Sequence, residues 1–321
     1  MNKIKKPDIS IILPTYNVGQ HIDRCLESCS KQTHENIEII VVDDCGNDDS
    51  IDKAGVWAAR DTRIKIIANP KNLGTFHARR RGVEYAQGEY IIFLDPDDAL
   101  HRDAAQEILS EIKKQSVDIV FFGIIQICKK NHSRSKNIFQ CPPTITGDVA
   151  KDILRQKSIP LGTPGKAYRR TALYNALLKL PIPEDERLVY GEDALALFLV
   201  ISNEPKGLSI KKYLYSYYVN ESSITAQNSI EHVRSQQQQL DRVIYHLKKV
   251  ASKKKDMNSA VLKYFIKKLK YDWHMIARYT LDEHAKDQYL KSIGSAFMER
   301  KTIKGLVRLL AYVTSLGKIR L

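Results

Sequence analysis

Three carboxylates stand together in the segment Leu94-Asp95-Pro96-Asp97-Asp98, directly after the apolar run at residues 90–94. Such a run is typical of a buried strand, and open α/β sheets bind ligands at the carboxyl ends of their strands. Carboxylates this close repel one another unless a cation lies between them, and a hard divalent cation prefers oxygen ligands. The segment therefore predicts either a divalent-cation site or, more simply, a turn that caps the following helix.

A second acidic pair, Glu192-Asp193, lies much further along the chain. Gly191 permits an irregular backbone before the pair, and the apolar residues 194–199 after it have the pattern of a buried helix. Acidic side chains are stabilised in the first turn of a helix. The pair is therefore either a capping pair or a candidate general base, and the residue types alone leave both interpretations open.

The elements that would position these carboxylates are visible in the N-terminal part of the chain. Apolar runs at residues 9–13, 37–42 and 64–67 predict strands, and segments with helical spacing of apolar residues lie between them. Strand–helix alternation with short links predicts βαβ units on a parallel sheet. A ligand that crosses the strand ends would explain the polar residues after each strand, which are Thr15, Asp43, Asp44, Asn72 and Asp95 to Asp98.

Five motifs follow one another in the order Pro14-Thr15-Tyr16-Asn17, Val42-Asp43-Asp44, Asn72-x-Gly74-x4-Arg79, Leu94 to Asp98, and Gly191-Glu192-Asp193. In this series the chain resembles the family-2 glycosyltransferases, strongly over residues 8–100 and again at 191–193 and 215–225. The finer wording is most similar to bacterial lipooligosaccharide β-1,3-galactosyltransferases. The resemblance implies an α/β fold of the GT-A type, a Rossmann-like mixed sheet flanked by helices.

The resemblance also implies a donor site for a UDP-sugar. The loop Pro14-Thr15-Tyr16 would lie on the nucleobase, and Asp44 would accept a hydrogen bond from uracil N3–H, a proton that neutral cytosine lacks. Arg79 would reach the base or the diphosphate. The nucleotide-sugar-binding residues implied in this way are Pro14, Thr15, Tyr16, Asp44, Asn72, Gly74, Arg79, Asp95 and Pro96.

The same resemblance makes Asp97 and Asp95 the ligands of a Mn²⁺ or Mg²⁺ ion, and Asp193 the general base with Glu192 as its neighbour. One base and no enzyme nucleophile imply inversion at the sugar carbon. Galactose is the favoured hexose, and a transferase for UDP-N-acetylgalactosamine or UDP-N-acetylglucosamine is an alternative. A non-catalytic module that binds sugar nucleotides or membranes is a further alternative.

The acceptor implied is a hydroxyl of a glycan, most simply a lipid-linked one. The residues implied on the acceptor and diphosphate side are Lys166, Tyr217 and Ser223. Residues 128–146 are polar and basic and contain Pro142-Pro143, so they predict an irregular excursion over the acceptor side.

Length and charge divide the chain. Its 321 residues suffice for one large core and an appendage. We predict a catalytic domain at residues 1–226, with a nucleotide-sugar half at 1–100 and an acceptor half at 101–226, and a basic helical region at 227–321. The net charge of +14 belongs mostly to that last region, because residues 231–321 hold 20 Lys+Arg against 8 Asp+Glu, whereas residues 1–230 hold 31 against 29.

The basic region predicts contact with an anionic membrane. Residues 300–316 have an amphipathic pattern that is typical of helices on anionic lipid, but such a helix also suits packing on its own domain or on a second chain in an oligomer. No recognition motif accompanies the charge, so nucleic acid is not expected. One face of this helix holds Ile303, Leu306, Val307, Leu310, Val313 and Thr314, and the opposite face holds Lys301, Lys304 and Arg308.

The remaining composition predicts a cytoplasmic protein, peripheral at the inner face of the cytoplasmic membrane. No stretch approaches the roughly 20 apolar residues of a spanning helix. The basic residues 1–6 are followed by an apolar run of only five residues, so a secretory signal is not expected. Five cysteines without a Cys-x-x-Cys pair suit a reducing compartment.

Overall fold

The chain is described by a computed structural model, which covers residues 6–130, 133–140, 142–156, 159–178, 180–219, 229–252, 257–277, 285–300 and 303–314. It divides into two compact units, Met1–Val219 and Asn220–Leu321.

The first unit begins as an alternation of strands and helices and continues as a mixed half. Its elements are β1 (Ile9–Thr15), α1 (Ile22–Ser30), β2 (Ile37–Asp43), α2 (Ser50–Ala58), β3 (Ile64–Ala68), α3 (Thr75–Tyr85), β4 (Tyr90–Phe93), β5 (Ala99–Leu100), α4 (Ala104–Ile112), β6 (Ile119–Lys130), β7 (Ser133–Gln140), α5 (Val149–Gln156), β8 (Lys166–Arg169), α6 (Arg170–Leu178), α7 (Glu192–Ile201) and β9 (Gly207–Tyr218).

These strands form one mixed sheet within the described residues, in the order β3-β2-β1-β4-β8-β6-β9-β5, with β7 paired to β6. Strands β3, β2, β1 and β4 are parallel, and β8 is antiparallel to both β4 and β6. The register places Thr15 of β1 beside Asp43 of β2, so the polar residues that follow these strands meet at one edge. The predicted α/β architecture is therefore confirmed.

Apolar side chains cover both faces of the parallel strands, as a sheet with helices on each side requires. On one face, Ile11 and Leu13 belong to a buried cluster with Cys25 and Leu26 of α1. On the other face, α3 packs closely on β1 and β2. A Cβ added at Gly82 of α3 would lie 2.4 Å from Ile12 Cγ2, so the close approach of helix and sheet depends on this glycine.

The expected irregular excursion at residues 128–146 is wrong for much of its length. Strand β6 continues to Lys130, and β7 (Ser133–Gln140) pairs with it in antiparallel register. The error arose because the segment is polar and basic, whereas strands are usually recognised by β-branched and apolar alternation. Backbone pairing with an already formed strand outweighed the weak local propensity.

The second unit is helical in its described part. Its helices are α8 (Ile230–Ala251), α9 (Met257–Ala277), α10 (Ala285–Arg300) and α11 (Ile303–Thr314). Ser229 caps α8 by accepting a hydrogen bond from the backbone N–H of His232 at 3.2 Å. Tyr289 and Ile293 of α10 pack with Tyr312 of α11 in a small buried cluster. None of the described helices combines the length and the apolar character needed to cross a membrane.

The predicted amphipathic helix is present as α11, but the side chains that pack inward are not those of the predicted apolar face. Gly305 and Tyr312 are buried, and Leu309 is half-buried. The exposed side chains include Leu306, Val307, Leu310 and Val313, with exposed fractions of 41, 51, 52 and 55 %. An apolar stripe two helical turns long therefore faces outward from this helix.

Candidate active site

The segment after β4 forms a tight acidic turn. The backbone N–H of Asp98 donates to the carbonyl of Asp95 at 2.9 Å. The following helix α4 begins only at Ala104, with Asp103 at its N-cap position. The interpretation of the acidic segment as a helix cap is therefore wrong, since its carboxylates lie more than one turn before α4.

The last carboxylate of this turn, Asp98, is buried against strand β9. It accepts hydrogen bonds from the Tyr215 hydroxyl at 2.6 Å and from the Tyr218 backbone N–H at 2.8 Å. Burial raises the pKa of Asp98 to about 8, and the neighbouring Asp97 and Asp95 add to the shift. Asp98 thus joins the acidic turn to the strand that carries the alternating tyrosines.

Arg24 of α1 holds the same turn from the opposite side. Its guanidinium donates to the carbonyl oxygen of Asp97 and lies 3.7 Å from the centre of the Tyr218 ring. Neither Arg24 nor the tyrosine contacts were found from the sequence. The alternation of tyrosines in β9 did predict a half-buried strand, but it carried no information about which carboxylate the tyrosines meet.

The buried guanidinium of Arg79 is the centre of the site. It donates to Asp95 Oδ1 at 2.9 Å and to Glu192 Oε1 at 3.1 Å, and a third hydrogen bond reaches Asp193 Oδ1. Only 8 % of the Arg79 side chain is exposed. We refer to Arg79, Asp95, Glu192 and Asp193 as the carboxylate cluster. It unites the acidic turn after β4 with the acidic pair that begins α7.

The electrostatics of the carboxylate cluster follow from burial and crowding. Burial lowers the pKa of Arg79, but its three carboxylate partners raise it by more, so the net pKa lies above the ordinary value of arginine. Burial and the adjacent Asp193 raise the pKa of Glu192, against the influence of Arg79. Burial also raises the pKa of Asp95. One guanidinium therefore compensates three acids that would otherwise repel one another.

The acidic pair lies in the first turn of α7, as its sequence suggested. Gly191 precedes the helix with φ of 79°, a left-handed conformation that favours glycine. No side-chain hydrogen bond caps the helix. Glu192 and Asp193 bond to Arg79 instead, and Asp193 Oδ1 also accepts a hydrogen bond from the Thr163 hydroxyl. Thr163 was not found from the sequence, because a single threonine in a loop carries no pattern.

Asp44 organises the loop between β3 and α3. Its carboxylate accepts hydrogen bonds from Asn69 Nδ2 at 2.7 Å, from Leu73 N–H at 2.9 Å and from Gly74 N–H at 2.8 Å. Its own backbone N–H donates to the Thr15 carbonyl at 3.0 Å. The structure thus brings the motifs after β1, β2 and β3 into direct contact.

The end of this loop is fixed by a glycine and by a distant arginine. Gly74 has φ of 85°, and a Cβ there would lie 2.8 Å from Arg187 Cγ and 2.9 Å from Val189 Cγ1. Arg187 Nε donates to Asn72 Oδ1 at 3.1 Å. Arg187 belongs to the segment before the acidic pair, so this segment contacts the loop that Asp44 holds.

The first motif presents one side chain outward. Tyr16 is 45 % exposed, Pro14 is half-buried, and the Thr15 hydroxyl donates to the Leu13 carbonyl at 3.0 Å. Pro96, also predicted to bind the donor, is buried within the acidic turn. A cavity of about 360 Å³ lies behind the Asn69 side of the loop, away from the carboxylate cluster.

Lys166, predicted on the acceptor and diphosphate side, is 1 % exposed at the start of β8. Its ammonium donates to the Gly162 carbonyl and, at 3.4 Å, to the Pro164 carbonyl. Burial lowers the pKa of Lys166 to about 7, and Asp193 acts in the opposite direction. Tyr217 is half-buried on β9. Ser223 lies outside the described residues.

Two carboxylates of the acidic turn could serve a hard cation. Among the described residues no group of three or more His, Cys, Asp or Glu side chains forms a cation site. The half-exposed Asp97 carboxylate accepts no hydrogen bond from the residues described, and Asp95 uses only Oδ1 for Arg79. A cation that is also bound by phosphate oxygens needs only one or two protein carboxylates. The donor set therefore fits a metal–diphosphate complex.

The arrangement suits a displacement reaction with an anionic leaving group. The half-exposed carboxylates of Asp95 and Asp97 follow β4, and β4 pairs with β1, which carries the first motif at its end. The partly exposed carboxylate of Asp193, at the start of α7, is joined to Asp95 of this turn through the Arg79 guanidinium, which bonds to both. Such a site can hold a cation, orient a phosphorylated ligand and accept a proton.

Comparison with known proteins identifies the family of the chain. The model of "Glycosyl transferase family 2" matches residues 10–178. The putative glycosyltransferase EpsH of Bacillus subtilis is 40 % identical over 221 residues, 69 % of this chain and 63 % of its own length. The minor teichoic acid biosynthesis protein GgaB of the same organism is 32 % identical over 227 residues, 68 % of this chain but 24 % of its own length.

The fold has a close counterpart among solved structures. S. aureus TarS residues 1–349 in complex with UDP-GlcNAc superposes with a TM-score of 0.65 at 19 % identity, covering 97 % of this chain and 88 % of that one. The predicted GT-A-like sheet and the helical C-terminal region are thereby confirmed. The chain spans between about a quarter and about two thirds of the length of the curated relatives that it matches. By the family match over more than half of its residues, the chain belongs to glycosyl transferase family 2.

Proposed function

We propose that this protein is an inverting, metal-dependent glycosyltransferase that moves a hexose from a UDP-sugar to a hydroxyl of a glycan acceptor. One observation carries the proposal: Arg79 joins Asp95, on the donor side, to Asp193, on the side of the proposed base. A purely structural ion pair would need one carboxylate, whereas a metal-dependent transferase needs one carboxylate to hold the cation at the leaving diphosphate and another to accept the proton of the attacking hydroxyl.

The donor is proposed to lie along the ends of β1, β2 and β4. A carboxylate offers about four acceptor positions, and three of those on Asp44 are used by its own loop. One position therefore remains for uracil N3–H. The exposed Tyr16 could stack on the base, and Asn72 and Gly74 would line the same part of the proposed donor site. TarS, which shares the fold, binds UDP-GlcNAc.

The metal is proposed to be Mn²⁺ or Mg²⁺, held by Asp97 with Asp95 as its neighbour. When bound, such a cation neutralises charge that develops on the departing diphosphate. Asp97 is partly exposed, so its carboxylate is accessible to a cation that arrives with the diphosphate. Asp95 would divide its two oxygens between Arg79 and the donor side.

Asp193 is proposed as the general base. The acceptor hydroxyl gives its proton to the Asp193 carboxylate while its oxygen attacks the anomeric carbon from the face opposite the diphosphate. A single displacement inverts that carbon. Glu192 is more deeply buried, with 8 % of its side chain exposed against 26 % for Asp193, so Asp193 is the better placed of the two to meet a substrate.

The donor specificity is tested by UDP release. The purified chain is incubated with UDP-galactose, UDP-glucose, UDP-N-acetylglucosamine and UDP-N-acetylgalactosamine, each with Mn²⁺ and each with excess chelator. We expect slow metal-dependent hydrolysis of one of these donors. The sequence resemblance favours UDP-galactose, whereas the shared fold with TarS, which binds UDP-GlcNAc, favours UDP-N-acetylglucosamine. Asp193→Asn should abolish hydrolysis and retain UDP binding, whereas Asp148→Asn, at a partly exposed site elsewhere, should retain both.

Two results would contradict this function. Hydrolysis that is unchanged in Asp193→Asn would exclude Asp193 as the base. Binding of UDP-sugars without turnover, under any metal, would favour the alternative of a non-catalytic sugar-nucleotide module.

The acceptor is proposed to be a lipid-linked glycan of surface-polymer synthesis at the cytoplasmic face of the membrane. GgaB, one relative, acts in teichoic acid biosynthesis. On α11 the side chains of Leu306, Val307, Leu310 and Val313 are exposed, and so is Lys304 of the same helix. Apolar stripes with flanking cations favour anionic bilayer surfaces, and residues 231–321 carry the basic excess of the chain.

Sedimentation with vesicles tests the membrane contact. We expect the chain to bind vesicles of anionic lipid more tightly than vesicles of neutral lipid. The double substitution Leu306→Ser with Leu310→Ser should weaken that binding. If the variant binds vesicles equally but changes from an oligomer to a monomer, the stripe is a contact between copies of this chain instead.

A further inference from the structure

The two oxygens of the Asp193 carboxylate have different surroundings. Both protein donors, the Arg79 guanidinium and the Thr163 hydroxyl, bond to Oδ1. Among the described residues no donor reaches Oδ2. The nearest feature of interest there is Gly162, where an added Cβ would lie 3.9 Å from Oδ2. Oδ1 is therefore held by two donors, whereas Oδ2 has none among the described residues, and 26 % of the Asp193 side chain is exposed.

Thr163 holds the carboxylate through the same oxygen as Arg79, but from a different element of the fold. It is 5 % exposed, so its hydroxyl is shielded from water. It belongs to the loop before β8, whereas Arg79 belongs to α3 and Asp193 to α7. The loop is itself tied down, because the buried Lys166 ammonium donates to the carbonyls of Gly162 and Pro164.

We propose that Thr163 and Arg79 are positioning residues that fix Asp193 through Oδ1, so that Oδ2 is the atom that takes the proton of the acceptor. This inference rests on the proposed function, because it assumes that Asp193 is the base. It adds the atom that reacts and the residues that orient it.

The proton balance follows from this assignment. The acceptor O–H bond breaks and its proton passes to Oδ2. The oxygen forms a bond to the anomeric carbon, and the electron pair of the sugar–phosphate bond leaves with the diphosphate. Because Oδ1 stays bonded to two donors, the carboxylate cannot rotate, and its second oxygen keeps its direction toward the hydroxyl.

The first arm of the test removes the Thr163 hydroxyl and then restores it. Thr163→Val keeps the shape of the side chain but lacks the donor, and Thr163→Ser keeps the donor. With the UDP-hexose that is hydrolysed fastest, we expect Thr163→Val to lower kcat about tenfold, a part of the contribution of a positioned base. The donor KM and the UDP affinity should not change, and Thr163→Ser should restore most of the rate.

The second arm narrows the space at Oδ2. The backbone of Gly162 is outside the left-handed region, so a side chain is tolerated there. Gly162→Ala would place its Cβ at an ordinary van der Waals distance from Oδ2, so we expect it to keep its activity, whereas Gly162→Val, whose methyl groups reach further, should lower kcat at constant UDP affinity. Gly55→Ala serves as the control, because a Cβ at that position meets nothing within 4 Å.

The outcomes separate this inference from the proposed function. If Asp193→Asn keeps its activity, the proposed base is wrong. If Asp193→Asn is inactive while Thr163→Val has the wild-type kcat, only the positioning role is wrong. Equal losses in Thr163→Val and Thr163→Ser would also overturn it, since the hydroxyl would not be the cause. A fully active Gly162→Val would show that Oδ2 is not the reacting atom, even if Thr163→Val fails to fold.

Discussion

Lys166 should make the stability of the first unit depend on pH. Its ammonium is buried, and burial lowers its pKa to about 7, whereas an unfolded lysine has a pKa of about 10.4. Between these values the unfolded chain holds a proton that the native state has released. Stability therefore rises with pH through this window, and below pH 7 the native state carries the full cost of a buried charge.

The size of the effect follows from the shift. At about 1.36 kcal/mol per pKa unit, the buried charge destabilises the native state by roughly 4–5 kcal/mol at pH 6 and by roughly 2 kcal/mol at pH 9. Lys166→Met removes the charge. Between pH 6 and pH 9 the free energy of unfolding should therefore rise by about 3 kcal/mol more in the wild type than in Lys166→Met. Loss of the hydrogen bonds to Gly162 and Pro164 adds only an offset that is independent of pH.

Tryptophan fluorescence can isolate the first unit. The chain has two tryptophans, Trp57 in the first unit and Trp273 in the second, so a Trp273→Phe background leaves Trp57 as the single reporter. Urea unfolding at pH 6 and pH 9 is compared for the parent, Lys166→Met and Lys211→Met, the last being an exposed lysine on β9. Parallel pH dependences for Lys166→Met and the parent would refute the reasoning, because Lys166 would then stay charged in the native state.

Three further outcomes are expected. Arg79→Met should destabilise the first unit by about 3–5 kcal/mol, because it leaves Asp95, Glu192 and Asp193 without their cation, while Arg81→Met at a surface site should cost less than about 1 kcal/mol in urea unfolding. Gly74→Ala should cost about 2–3 kcal/mol in the same measurement, because it combines a positive φ with a steric clash, and a cost near zero would mean that the loop relaxes freely. Asp97→Asn should remove most metal-dependent UDP release without lowering the melting temperature, and full activity in excess chelator would show that no metal is needed.

The sequence predicted the part of the fold that depends on local patterns. Apolar runs of β length that alternate with helical segments were sufficient for the parallel half of the sheet, because both faces of those strands are buried. The strand β7 (Ser133–Gln140) could not be predicted, since its residues are polar and its pairing with β6 is decided by the neighbouring strand rather than by its own composition.

The candidate site was predictable only to the level of motifs. The structure brings together Asp44 and Gly74, and it places Asp95 near Asp193, as the motif series suggested; their roles in binding and catalysis stay predictions. The contacts of Arg79 with three carboxylates could not be derived, because they join positions up to 114 residues apart. Thr163 and Arg24 could not be predicted for a related reason. Each contributes a single hydrogen bond to the site, and no repeat or spacing in the sequence marks such a residue.

The carboxylate cluster also has a consequence for how the chain folds. The motifs proposed to bind the donor nucleotide lie within the first 100 residues, yet two of the three carboxylates that bind Arg79, Glu192 and Asp193, lie 113 and 114 residues further along the chain. A fragment that ends near residue 100 would lack two of the three carboxylates that compensate the charge of Arg79 in the complete chain. We therefore expect residues 1–100 to be unable to fold by themselves, and the carboxylate cluster to form late during folding, after contacts of long sequence separation have formed.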